Sequence, residues 1–146
     1  MMNNTPRFKL VAFSTDMALL RSIAETAAPY FDTARMGDAG RAIALCEADR
    51  DVRVFMSEHA VHPASGTSLF DAVRDRAPHV TRVMLTTYAD LSTIVAGLHS
   101  GAIQFLANKP VNRTELLSVL GTIATTRVAA AAAAAANVSS TPRRCA

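Results

Sequence analysis

The sequence predicts an α/β fold with one parallel sheet covered by helices on both faces. Short β-branched or apolar runs alternate five times with longer segments of helical period, the pattern of consecutive βαβ units. The 146 residues are the length of one ordinary domain. Half of the residues are hydrophobic and 18% are charged, which favours a globular chain over a disordered one.

The predicted strands are the apolar runs, and the helices between them are recognised by their caps and by an apolar face. Strands are expected at residues 8–13, 30–34, 51–57, 80–85 and 103–107. A helix over residues 16–28 begins at a capping Asp16, and a second begins after Asp38. The third ends before Pro78 and Gly101 closes the fourth, while Asn112 and Glu115 form a capping-box-like pair at the start of the fifth.

The chain is expected to contain one domain over residues 8–128, with a disordered N-terminus at residues 1–7. Residues 129–136 are an uninterrupted alanine run, which should prolong the last helix because alanine has the highest helix propensity. After Asn137 the sequence has no periodicity and is expected to be a disordered tail, so residues 129–146 form an extension of the domain.

Composition argues against several classes of function. The formal charge is +3, but Arg143 and Arg144 supply two of these charges and the rest are interspersed, so we expect no nucleic-acid binding. Neither a signal peptide nor a sufficiently apolar membrane span is present, and the cytoplasm is the default location. Cys46 is expected to be a core residue and Cys145 to lie in the tail. Neither the cysteines nor the four histidines have the spacing of a metal site.

One segment carries a family resemblance. Ligands of parallel α/β sheets bind beyond the carboxyl ends of the strands, so the residues at those ends are the candidates for chemistry. The segment VMLTTYADLSTIVAGLHSGAIQFLANKPVNRTELLSVL resembles the second half of bacterial response-regulator receiver domains, with a strand ending in Thr, a Gly-Ala and a strand ending in Lys-Pro. The resemblance extends over roughly residues 8–127. It implies a flavodoxin-like (βα)5 doubly wound sheet in strand order 2-1-3-4-5, and a cis Lys109–Pro110 peptide.

In that family an acidic pair after the first strand holds Mg²⁺, and an Asp after the third strand accepts a phosphoryl group. Here the acidic pair corresponds to Ser14 and Thr15, and the phosphoacceptor position corresponds to Glu58. A shift of one residue would place Ser57 or His59 at that position instead. Asp16 follows one place too late for the acidic pair and is explained as a helix cap.

Two other parts of the family pattern are kept, and one further position departs from it. Thr86 matches the hydroxyl residue after the fourth strand, and Lys109 with Pro110 matches the conserved lysine and proline. The family's aromatic switch residue, three places before the lysine, corresponds to Leu106, with Phe105 adjacent as a candidate aromatic switch.

These differences predict a degenerate receiver, a pseudo-receiver, with no enzymatic activity, no catalytic residue and no resident metal. Mg²⁺ prefers carboxylate oxygens in octahedral geometry, so two hydroxyls should leave its binding weak or absent. Glu58 has two interpretations that stay open: its charge mimics a phosphorylated residue and pairs with Lys109, or it is a relic.

The resemblance also implies the kind of partner. We expect a protein partner (a histidine kinase, a phosphotransfer protein or an output protein), a homodimer, or both, through the face from Asp90 to Arg127. The alternatives are a phosphorylatable single-domain receiver, the N-terminal input module of a longer regulator, and a plain scaffolding unit.

Overall fold

The computed structural model describes residues 7–58, 68–89 and 91–136, with side chains described as far as residue 125. Five strands alternate with five helices over this part of the chain. The strands are β1 (Lys9–Phe13), β2 (Asp32–Met36), β3 (Val52–Ser57), β4 (Thr81–Thr86) and β5 (Phe105–Asn108). The helices are α1 (Met17–Ala27), α2 (Ala39–Ala48), α3 (Leu69–Arg76), α4 (Leu91–Ser100) and α5 (Arg113–Ala136).

All five strands belong to one parallel sheet in the order β2-β1-β3-β4-β5. This order confirms the predicted flavodoxin-like fold. The register places Phe13 of β1 opposite Met36 of β2 and Ser57 of β3. At the other side of the sheet, Thr86 of β4 pairs with Asn108 of β5. The residues that follow β1, β3, β4 and β5 therefore meet at one edge.

Two apolar cores cover the two faces of the sheet. One joins α1 and α5 to the sheet through side chains such as Leu20, Ile23, Leu116 and Leu120, each at most 1% exposed. The other joins α2, α3 and α4 to the opposite face. Buried strands with both faces covered read as continuous apolar runs, which is why β1, β3 and β4 are recognisable in the sequence.

Helix ends agree with the predicted caps at most positions. The Asp16 carboxylate accepts hydrogen bonds from the backbone N–H groups of Ala18 and Leu19 (3.0 and 3.2 Å), and the Asp38 carboxylate accepts one from Arg41 (3.2 Å). Gly101 follows α4 with φ +82°, the left-handed conformation that favours glycine.

The start of α5 differs from the prediction. Asn112 Oδ1 accepts from the Glu115 N–H (2.9 Å), as a cap does. The Glu115 carboxylate does not complete a capping box, because it accepts from the backbone N–H and the side-chain amide of Asn108 (2.9 and 2.8 Å). This carboxylate ties α5 to the end of β5.

Two of the predicted strands begin two residues too early, whereas the other three begin within one residue of the observed start. The N–H groups of Tyr30 and Phe31 both donate to the Ala27 carbonyl (2.9 Å each), which closes the last turn of α1, so β2 begins only at Asp32. The Ile103 N–H donates to the Gly97 carbonyl (3.0 Å), so pairing with β4 starts at Phe105.

Several predictions concern residues outside the described part of the chain. These are the N-terminal tail over residues 1–6, the loop over residues 59–67, which contains His59, the single residue Asp90, and the tail over residues 137–146, which contains Cys145. Helix α5 continues through the alanine run to Ala136. Within the described ranges, the helices are too short or too polar to cross a membrane.

Candidate functional site

The candidate site is the edge of the sheet where β1, β3, β4 and β5 end. Ser14, Glu58 and Lys109 each come directly after a strand, and Thr86 is the last residue of β4. Parallel pairing brings these ends together, as the register of Phe13 with Ser57 and of Thr86 with Asn108 requires.

Glu58 lies at the centre of the site. Its side chain is 10% exposed, and its Oε1 is bonded to the Lys109 ammonium. Its Oε2 accepts a hydrogen bond from the Ser14 hydroxyl. Both carboxylate oxygens are therefore engaged by side chains of this chain, one cationic and one neutral.

Ser14 is completely buried and is fixed on both sides. Its backbone N–H donates to the Met36 carbonyl at the end of β2 (3.1 Å). Its hydroxyl oxygen also accepts a hydrogen bond from the Asp16 N–H (2.9 Å). Thr15 is exposed, so the two residues at the positions of the family's acidic pair have different environments.

Lys109 is positioned by the end of β4. Its backbone N–H donates to the Thr86 carbonyl (2.9 Å), and its side chain is 34% exposed. The Lys109–Pro110 peptide is cis, as the resemblance implied. The ammonium thus reaches Glu58 from the rim of the site rather than from the core.

The Thr86 hydroxyl, at the end of β4, is bonded to the loop that leads to α4. It accepts a hydrogen bond from the Tyr88 N–H (2.8 Å), and Tyr88 has φ +66°, a left-handed conformation that is uncommon for a bulky residue. Thr86 itself is buried. The sequence comparison identified Thr86 but gave no indication of the Tyr88 conformation.

Phe105, the candidate aromatic switch, and Leu106, at the family's aromatic position, lie on opposite faces of the sheet. Phe105 packs against the core of α1 and α5, and Leu106 packs against the core of α2, α3 and α4. Both side chains are half-buried. The role of Phe105 as a switch stays a prediction.

The donor set at this edge does not fit a resident divalent cation. The described residues contain no group of three or more His, Cys, Asp or Glu side chains arranged to hold a metal ion. Glu58 is the carboxylate at the centre of the site, and Ser14 and Lys109 already bind its two oxygens.

Comparison with known proteins identifies the fold. No protein-family model and no curated protein sequence matches this one. Among solved structures, the signal receiver domain of an HD-domain-containing protein from Pseudomonas fluorescens Pf-5 superposes with a TM-score of 0.74 at 23% identity, over 90% of this chain and 96% of that chain. The chain has the fold of a receiver domain.

Two further structures show the same likeness to the receiver fold. A CheY-like response regulator receiver domain protein from Methanospirillum hungatei JF-1 is 21% identical, with a TM-score of 0.74 over 86% of this chain and 99% of that one. The REC domain of AraT, a response regulator from Geobacillus stearothermophilus, is 17% identical, with a TM-score of 0.71 over 85% and 98%.

Proposed function

We propose that the chain is a pseudo-receiver of two-component or phosphorelay signalling, which acts through protein contacts and without regulated phosphorylation. The observation that carries this proposal is the engagement of both Glu58 oxygens, by the Lys109 ammonium and the Ser14 hydroxyl. The receiver fold supports the signalling role, and the internal bonding of Glu58 supports the absence of phosphotransfer.

Phosphoryl transfer between anions needs positive charge from a divalent cation and a lysine. Mg²⁺ binds through carboxylates in near-ideal octahedral geometry and keeps several waters. The Ser14 hydroxyl is a poor replacement for a carboxylate ligand, and it is committed to Glu58. Binding of Mg²⁺ would have to displace that hydroxyl or the Lys109 ammonium from the carboxylate.

Glu58 instead provides a permanent negative charge. A glutamate carries one charge where a phosphorylated residue carries between about 1.5 and 2, and its side chain is one methylene longer than that of Asp. The Lys109 ammonium binds the end of that longer side chain. The pair thus holds the site in one charged arrangement that needs no phosphodonor.

The proposed contact surface lies within residues 90–127. On α4, Leu91, Val95 and Leu98 are spaced i, i+4, i+7 and are 60%, 61% and 42% exposed. Tyr88, 38% exposed, precedes them. A strip of large exposed apolar side chains is typical of a protein-binding surface, and we assign it to a protein partner from the signalling pathway.

The proposal is tested with acetyl phosphate or beryllofluoride in the presence of Mg²⁺. We expect no phosphoryl adduct by mass spectrometry and no shift of the Glu58, Lys109 and Thr86 resonances in NMR spectra. The positive control is the triple variant Ser14→Asp, Thr15→Asp, Glu58→Asp, which restores the family's acids and should respond. A phosphoryl adduct on native Glu58 would establish the phosphorylatable receiver instead.

The surface is tested separately. Leu91→Ser and Val95→Ser should abolish capture of a cognate histidine kinase, phosphotransfer protein or output protein, whereas Met17→Ser, an equally exposed apolar side chain on α1, should not. Light scattering of the purified chain distinguishes a homodimer through this face from a monomer that binds a different protein.

A further inference from the structure

Two arginines from different elements are bonded to the C-terminal end of α4 and to the two residues that follow it. Arg74 Nη1 of α3 donates to the Ser100 carbonyl (3.2 Å). Arg82 of β4 donates from Nη2 to the Gly101 carbonyl (3.1 Å) and from Nε to the Ala102 carbonyl (2.8 Å). The last carbonyls of a helix lack intrahelical partners and form the negative end of its dipole, so guanidinium groups stabilise this end.

Arg82 is a buried cation and the second residue of β4. It is 4% exposed, and its Nη1 also donates to the Val80 carbonyl (2.8 Å). Its backbone N–H donates to Gln104 Oε1 (2.9 Å), and its carbonyl accepts from the Gln104 N–H (3.0 Å). Burial of a guanidinium is costly unless its N–H donors are satisfied. The positions of the guanidinium and of the carbonyls of Val80, Gly101 and Ala102 therefore depend on one another.

Arg74 is fixed from its own helix. Its guanidinium binds Asp71 at 3.1 Å and Asp75 at 3.2 Å, and it reaches the Ser100 carbonyl across the groove between α3 and α4. These two carboxylates orient the guanidinium toward α4. Arg74 therefore connects α3 to the same end of α4 that Arg82 connects to the sheet.

We propose that Arg82, assisted by Arg74, is an internal clamp that holds α4 in one position on the sheet, so that the strip of Leu91, Val95 and Leu98 is presented without a phosphorylation signal. The biological meaning of this clamp rests on the proposed function. Its physical basis does not, because the bonds to Ser100, Gly101 and Ala102 involve no residue of the Glu58 site.

The clamp is tested by amide hydrogen exchange and by methyl relaxation dispersion, on the full chain without Mg²⁺ or phosphodonor. In the native chain the α4 amides should exchange as slowly as those of β4, with no dispersion at Val95 or Leu98. In Arg82→Met, protection of the α4 amides should fall about tenfold or more relative to β1, because buried carbonyls lose their donors. Arg82→Lys keeps the charge but not the planar fork, so it should restore only part of the protection.

A second variant keeps the test informative if Arg82→Met does not fold. Arg74 is 34% exposed, so Arg74→Met should fold and should loosen α4 alone. The matched control is Arg76→Met on the same helix, which breaks an ion pair with Glu47 of α2 (3.0 Å) and should leave α4 unchanged. If the α4 amides exchange equally fast in Arg74→Met and Arg76→Met, the clamp is overturned. A loss of amide protection in Arg82→Met that is uniform over the sheet would also overturn it.

The two proposals fail in different ways. A chain that accepts a phosphoryl group while its α4 amides stay protected contradicts the pseudo-receiver and leaves the clamp standing. A chain that does not react with phosphodonor, but whose native α4 shows dispersion, contradicts the clamp alone.

Discussion

The Ser14 hydroxyl donates a hydrogen bond to the Glu58 carboxylate, and this contact joins the end of β1 to the end of β3. In receiver domains the acidic pair and the phosphoacceptor at these ends hold a metal between them. Here a neutral donor faces the carboxylate, and Lys109 supplies the positive charge from the end of β5. Under the proposed correspondence with receiver domains, an internal hydrogen bond and ion pair take the place of a metal-centred arrangement.

Replacement of that neutral donor by an acid should create a dependence on Mg²⁺. In Ser14→Asp, a second carboxylate lies beside Glu58 in a buried position, and like charges at short range destabilise the fold. We expect a lower melting temperature without metal and a recovery with millimolar Mg²⁺, more complete when Thr15→Asp is added. Thr15→Asp alone, at an exposed position, is the control. A sub-millimolar Mg²⁺ site in the native chain, detected by calorimetry, would contradict the interpretation of Ser14.

The pairing of Glu58 with Lys109 predicts non-additive effects on stability. The Glu58 side chain is 10% exposed and that of Lys109 is 34% exposed, so the pair lies between a buried and a surface ion pair. Glu58→Gln should lower the free energy of unfolding by about 1–3 kcal/mol, between the ranges for exposed and buried pairs. The same substitution in a Lys109→Met background should cost less, with a coupling energy of at least about 0.5 kcal/mol.

Urea denaturation of the four chains in this cycle measures the coupling. The matched control is Glu47→Gln, which removes one partner of the exposed Glu47–Arg76 pair and should change stability by less than about 0.5 kcal/mol. If the two substitutions at the site simply add and partner binding is unchanged, Glu58 is a relic of the phosphoacceptor and not a mimic of its phosphorylated form.

The sequence contained enough information for the fold and for the positions of Glu58 and Lys109. Apolar runs of strand length identify buried parallel strands, and their carboxyl ends must share one edge of the sheet. The Lys109–Pro110 dipeptide then set the register of the family comparison. Position along the chain was sufficient for these residues because the topology itself brings them together.

Side-chain partners were harder to predict. Ser14 was interpreted as the loss of an acid, because the sequence does not show that its hydroxyl reaches Glu58. The aromatic Tyr30 favours a strand, but hydrogen bonds at the end of α1 override this propensity. The sequence does carry a signal for Arg82, because it is a charged residue inside the apolar run VTRVML and a buried cation needs several acceptors.

The pair of Lys9 and Asp49 predicts a dependence of stability on pH. Their side chains are 2.7 Å apart, and the hydrogen bond from Lys9 holds the pKa of Asp49 below its usual value of 3.8, with further help from the Asp51 N–H. The same bond raises the pKa of Lys9 above 10.5. Asp49 therefore stabilises the folded state above pH 3.8, and this stabilisation is lost as the pH falls through its lower folded pKa. Lys9 stabilises the folded state below pH 10.5, and this stabilisation is lost as the pH rises through its raised folded pKa.

Denaturant titrations of the native chain and of Lys9→Met test this dependence. The native chain should be the more stable of the two near neutral pH, and the difference should shrink below pH 3.8 and above pH 10.5. Arg21→Met, which removes one exposed charge from α1, controls for net charge. A difference that is the same at every pH would mean that Lys9 contributes through packing.

Cys46 should be chemically inert in the folded protein. Burial raises the pKa of its thiol to about 12, and the residue is completely buried in the core between α2 and the sheet. The reactive thiolate is therefore absent near pH 8. In a Cys145→Ser background, iodoacetamide should modify Cys46 only when denaturant unfolds the chain, as measured by mass spectrometry. Modification of the native chain at the rate of a free thiol would contradict this burial.

Gly97 should be essential to the position of α4, although glycine is a poor helix former. A Cβ atom at this position would overlap Cδ1 of Ile103 and lie 2.8 Å from its Cγ1, and Ile103 is 3% exposed and has little room to move. Gly97→Ala gains up to about 1 kcal/mol of helix propensity, whereas overpacking of a core costs about 1–3 kcal/mol. We therefore expect a net loss of stability by thermal denaturation, together with faster hydrogen exchange in α4.

The matched control is Gly40→Ala, whose added Cβ would have Asp38 Oδ1 as its nearest neighbour at 3.4 Å, so this variant should be neutral or stabilising. Gly101→Ala is not a suitable control, because Gly101 has a positive φ. Ile103→Val removes the overlapping Cδ1 atom but keeps a carbon at the Cγ1 position, 2.8 Å from the added Cβ, so it should relieve part of the defect of Gly97→Ala. If Gly97→Ala is as stable as the native chain and Ile103→Val has no effect on it, the close approach of α4 to the start of β5 does not hold the helix in place.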